Sequence, residues 1–126
     1  MCIGNKATLN FYLTSFAIKS DMINAIRNIQ YDGGGTNTAG GLQLMRTEIF
    51  SHANGDRVGV QNVAIVITDG DPDNLMAVIS EVVAVKRAGI RIVGVAVGDT
   101  VSFSHLLCTF HGFSGLTANC TGSRRG

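Results

Sequence analysis

No stretch of about 18 apolar residues occurs in this 126-residue chain, so no transmembrane helix is expected. The most apolar region, residues 75–97, is interrupted by Lys86, Arg87 and Arg91. An excess of one charge is also lacking. Ten Lys and Arg against nine Asp and Glu leave a formal net charge of +1. That balance gives no reason to expect nucleic acid or an acidic membrane surface as a partner, and no membrane insertion is expected. The opening residues MCIGNKATLN lack a charged segment followed by an apolar core, so no signal peptide is visible in this chain. Cysteine is scarce. Cys2, Cys108 and Cys120 cannot all pair within one chain, and their spacing fits neither a disulfide framework nor a zinc pattern. They read as buried or incidental thiols, with a bridge from Cys2 to a late cysteine open only in an oxidising compartment. The motifs G-x-S-x-G, H-E-x-x-H and G-x-x-x-x-G-K-[ST] are absent, and an enzyme is not expected.

What is present reads as one globular domain, with 45% hydrophobic and 15% charged residues. ATLNFYL, residues 7–13, roughly alternates and predicts a strand. A short helix follows over 21–29, with Ser20 as its cap and Met22, Ile26 and Ile29 on one face. A second helix spans 38–50, with Leu42, Met45 and Ile49 inward, and 51–61 is a polar loop. NVAIVIT, residues 62–68, is a nearly continuous β-branched run that suits a strand buried on both faces. Asp71 as cap and Pro72 at the first helical position then open a helix over 73–88. Leu75, Val78, Ile79, Val82 and Val85 point inward, Lys86 and Arg87 suit its last turn, and Gly89 ends it. RIVGVAV, residues 91–97, is a second buried strand. Strand, helix and strand form a βαβ unit with an expected right-handed crossover. The fold class is α/β, with helices on both faces of a mostly parallel sheet. Residues 102–126 form an irregular tail, with at most a short helix near 101–107.

Open α/β sheets bind ligands at the carboxyl ends of their strands. Asp69 follows the strand 62–68 at that end, and Asp99 follows the strand 91–97. The glycine-rich DGGGTNTAGG, residues 32–41, leads into a helix on the same expected rim. Thr36 and Asp69 would meet there as hard oxygen donors of the kind Mg²⁺, Mn²⁺ or Ca²⁺ prefer, beside the acids Asp71 and Asp73. Blander readings stand next to this one: Thr36 as a helix cap, and the T-D-G after the strand as an ordinary turn. A second functional reading is a nucleotide-binding domain whose GGGTNTAGG loop holds phosphate on backbone amides. That loop resembles the phosphate loop of tubulin-like GTPases, but Asn37 and Ala39 stand where those have glycine, and the chain is short for that fold. His105, Cys108, His111 and Cys120 are of the right type for zinc, yet their spacing fits no closed site. His52 reads as solvated. Asn119-Cys120-Thr121 is a glycosylation sequon, with meaning only in a secreted parent.

Taken together, DMINAIRNIQYDGGGTNTAGGLQLMRTEIF, NVAIVITDGDPDN and RIVGVAVGD resemble a von Willebrand factor type A domain of the collagen and matrilin kind. The resemblance covers residues 4–101. It implies a Rossmann-like fold and a metal-ion-dependent adhesion site, a non-catalytic module that binds a matrix protein such as collagen through Mg²⁺, Mn²⁺ or Ca²⁺. Thr36 matches the family's threonine ligand, and Asp69 matches the aspartate of T-D-G. The family's D-x-S-x-S is absent; DTVSFS at 99–104 has the wrong spacing. The domain is therefore expected to be truncated at both ends, without its first strand and its last strand and helix. The implied location is extracellular, as part of a longer parent. The absent strand would lie between the 7–13 side and the 62–68 strand. A chain with that gap is expected to be unstable or aggregation-prone and to hold metal weakly.

Overall fold

A computed structural model describes residues 1–31, 33–69 and 71–97. Asp99, the expected helix near 101–107, His105, Cys108, His111, Asn119 and Cys120 lie outside the described residues.

The chain opens with a small antiparallel hairpin, β1 (Cys2–Ile3) against β2 (Ala7–Thr8). The strand predicted over 7–13 thus ends at Thr8. Beyond it the backbone turns, with the Ser15 amide donating to the Tyr12 carbonyl at 3.3 Å. The Tyr12 amide donates to Ser15 Oγ at 2.8 Å. Phe11 and Phe16 pack edge to face at 5.3 Å across this turn, so the aromatic bulk that suggested a strand folds back on itself. Helix α1 (Lys19–Arg27) begins earlier than predicted. Ser20 lies inside it, and Ile18 occupies the cap position without a side-chain hydrogen bond. None of its residues is fully buried; Met22 and Ile26 are exposed.

The core is built from the later elements. Helix α2 (Thr38–Leu44) continues through a π turn, Met45–Ile49. Strand β3 (Val63–Thr68), helix α3 (Leu75–Arg87) and strand β4 (Arg91–Ala96) form the predicted βαβ unit. β3 and β4 pair in parallel from Val63↔Arg91 to Thr68↔Ala96. Leu42 and Met45 pack with Val78, Val82 and Val85 of α3 against Ala64, Val66 and Ile92 of the sheet. Arg46 and Glu81 tie the π turn to α3 at 2.7 Å. That hydrogen bond raises the Arg46 pKa above its ordinary value.

Helix α3 is capped by Asn74 and not by Asp71: Asn74 Oδ1 accepts from the Ala77 amide at 3.0 Å. Its other end follows the expectation. Gly89 has a φ of 77°, a left-handed backbone that suits glycine. The Gly89 and Ile90 amides return to the carbonyls of Lys86 and Val85, a Schellman closure.

The strand β3 departs from the prediction of burial on both faces. Ala64 and Val66 are buried under α2 and α3, while Ile65 and Ile67 on the alternate face are 66% and 65% exposed. Val63, Val93 and Val95 are exposed beside them. Both helices that pack on the sheet sit on the Ala64 side, so among the described residues the other side is bare. A trough of about 460 Å³ runs between the hairpin residues Met1–Ile3 and the β3 run Ile65–Asp69. Among the described residues, its lining includes residues of β3 but none of β4.

One buried group is left without a partner among the described residues. Thr38 is 1% exposed and its Oγ1 makes no hydrogen bond. An orphaned buried hydroxyl costs ~1–3 kcal/mol. Thr38→Val keeps the shape and removes the hydroxyl, and is expected to stabilise the domain by ~1 kcal/mol. A urea melt reads this as a higher midpoint at unchanged slope; a lower midpoint contradicts it.

Candidate functional site

The glycine loop is held from two sides. From the hairpin, Asn5 Oδ1 accepts from the Gly35 amide at 2.7 Å. The Gly4 carbonyl accepts from the Asn37 amide at 3.0 Å. From the segment after β3, Asp73 Oδ1 accepts from the Thr36 amide at 2.9 Å. The Asp73 amide in turn donates to the Thr36 carbonyl at 3.1 Å. The glycines serve this close approach. A Cβ on Gly35 would meet Asp73 Oδ2 at 2.8 Å, and one on Gly34 would meet the Asn5 backbone at the same distance. Helix α2 takes its cap from Asn37, whose Oδ1 accepts from the Gly40 amide at 2.9 Å. The Thr36 side chain is therefore not the cap.

Thr36 and Asp69 line the same trough, together with Thr68. Asp69 is exposed just past the carboxyl end of β3, where the Val97 amide still donates to the Thr68 carbonyl. Both predicted site residues therefore line this trough. Asp71 is exposed on the same loop but does not line the trough, and Asp73 is committed to the Thr36 amide. Among the described residues, no group of three or more His, Cys, Asp or Glu is arranged to hold an ion. A hydroxyl and a carboxylate are hard donors that fit part of a divalent cation's shell, and water or an outside carboxylate must supply the rest.

The same geometry disfavours the phosphate reading. The amides of Gly35, Thr36 and Asn37 are already donated within the protein, one of them to a carboxylate. A phosphate would find the donors taken and a negative charge beside it.

The sequence model of the von Willebrand factor type A domain matches residues 2–107. The chain belongs to that family. It is 35% identical over 91 residues to chicken matrilin-1, covering 72% of this chain and 18% of the matrilin. To bovine integrin alpha-2 it is 36% identical over 97 residues, covering 72% and 8%. To the mouse collagen alpha-4(VI) chain it is 28% identical over 120 residues, covering 86% and 5%. The chain therefore spans less than a fifth of each of these relatives, which are extracellular-matrix or cell-surface proteins. Its fold matches the solved proximal thread matrix protein 1 from the mussel byssus at a TM-score of 0.78 and 24% identity, covering 86% of this chain and 28% of that one. Another structure of the mussel protein, matching at a TM-score of 0.77, has a zinc-occupied metal-ion-dependent adhesion site. A von Willebrand factor type A fold, partial in its sheet, is thus established here. The described part of it has no helix long and apolar enough to cross a membrane.

The sequence pointed to Thr36 and Asp69 as candidates but not to Asn5 and Asp73 as anchors of the loop. The signal was available in part: consecutive glycines mark places where another group approaches the backbone closely. Which group approaches is a long-range contact, 30 residues away for Asn5 and 37 for Asp73, and no local spacing encodes it.

Proposed function

We propose that this chain is a non-catalytic protein-binding module of an extracellular-matrix or cell-surface protein. Thr36 and Asp69 hold a divalent cation at the carboxyl edge of the sheet, and an acidic side chain of a matrix protein such as collagen completes its shell. The supporting observation is that both residues line one trough while Asn37, and not Thr36, caps the helix. The cation supplies the positive charge that a partner carboxylate needs. The chain supplies a hydroxyl, a carboxylate and a fixed loop. Mg²⁺ is the favoured ion, with Mn²⁺ or Ca²⁺ as substitutes, because both donors are oxygens. Zinc more often draws on nitrogen and sulfur ligands.

The test is binding of the 126-residue chain to immobilised collagen. We expect weak binding in Mg²⁺ that disappears in EDTA and in Asp69→Ala. Binding that persists unchanged through both treatments contradicts the metal-dependent reading.

A further inference from the structure

We propose that Asp73 is a positioning residue for Thr36: its carboxylate clamps the glycine loop and does not itself ligate the ion. The inference rests on the metal-site reading for its functional meaning, and on geometry alone for the clamp. Asp73 and Thr36 exchange two hydrogen bonds, amide to carboxylate at 2.9 Å and amide to carbonyl at 3.1 Å. The pair joins the glycine loop to the segment that follows β3 and carries Asp69. The second carboxylate oxygen lies so close over Gly35 that a Cβ there, at 2.8 Å, would force the carboxylate to shift. A hydrogen bond to an ionised acceptor is stronger than one between neutral groups, because the amide dipole meets a full charge. One loop thus sets where the other presents its oxygen. Asn5 fixes the opposite side of the same loop through the Gly35 amide.

A clamp and a ligand answer differently to substitution. Asp73→Asn keeps an oxygen that can accept from the Thr36 amide but loses the charge. Asp73→Ala loses both. Gly35→Ala keeps the carboxylate but pushes it off the loop. Hydrogen exchange at the Thr36 amide in the metal-free chain reads the clamp directly, with the Val82 amide in the core as a control for folding. We expect exchange ~10-fold faster in Asp73→Ala and Gly35→Ala, as the loss of a charge-assisted hydrogen bond implies, and much less change in Asp73→Asn. Mn²⁺ affinity should follow the same order. Unchanged Thr36 exchange in Asp73→Ala overturns the clamp. So does a loss of Mn²⁺ binding in Asp73→Asn equal to that in Asp73→Ala while the amide stays protected, since that marks Asp73 as a ligand. If the exchange pattern holds but Asp69→Ala binds Mn²⁺ as well as the wild type, the clamp stands and the metal site falls.

Discussion

Leu42→Ala is expected to destabilise the domain by ~2–5 kcal/mol, enough to leave much of it unfolded at room temperature. Leu42 is 1% exposed and sits where α2 meets α3 and the covered face of the sheet. Truncating it removes apolar atoms from a close-packed site and leaves a cavity. The neighbours can fill it only by moving Val78, Val82 or Val85, each at most 2% exposed. A whole domain is stable by only ~5–15 kcal/mol. Among the described residues, one face of the sheet contributes little burial. Far-UV circular dichroism through a urea titration measures the loss. A midpoint shift worth less than ~1 kcal/mol would mean that the α2–α3 contact is not the centre of the core.

The second large effect concerns association. Ile65→Thr with Ile67→Thr should sharply reduce self-association and dye binding while changing stability by no more than ~0.5 kcal/mol, as for surface positions generally. Both side chains are about two-thirds exposed on a β-branched face shared with Val93 and Val95. Contiguous exposed apolar surface of this kind is an aggregation liability. Threonine keeps the β-branched shape that suits a strand, so local propensity is retained. The neighbouring change, Val66→Thr, should behave in the opposite way. Val66 is 7% exposed on the covered face, and an unpaired hydroxyl there costs ~1–3 kcal/mol. Sedimentation velocity and a dye such as ANS distinguish the two faces. Equal behaviour of the two substitutions contradicts the one-sided burial of β3.

The βαβ unit was legible because its signals are local. An apolar run between polar loops placed β3 and β4, and a glycine after Lys86 and Arg87 placed the end of α3. Burial was harder to read. NVAIVIT misleads on which alternate residues a helix will cover: the covered Ala64 and Val66 share their set with Asn62 and Thr68, while the exposed set is the wholly β-branched Val63, Ile65 and Ile67. The helix starts also slipped. Asp71 and Pro72 look like a cap and a first turn, but Asn74 takes the cap while the intervening Asp73 is drawn to Thr36, 37 residues away. The site divided in the same manner. Thr36 and Asp69 follow from motifs that each lie within a few residues. The Thr36–Asp73 hydrogen bonds join segments 37 residues apart, which no local motif encodes.

The most direct test of the shared cation is a Mn²⁺ titration of the 126-residue chain beside Thr36→Val and Asp69→Ala, followed by calorimetry or electron paramagnetic resonance. With two protein oxygens and no D-x-S-x-S segment, the wild type should bind a single Mn²⁺ with a Kd on the order of millimolar, and each substitution should abolish that binding. Equal binding in all three proteins, or a micromolar affinity in the wild type, would show that Thr36 and Asp69 are not the pair that holds the ion.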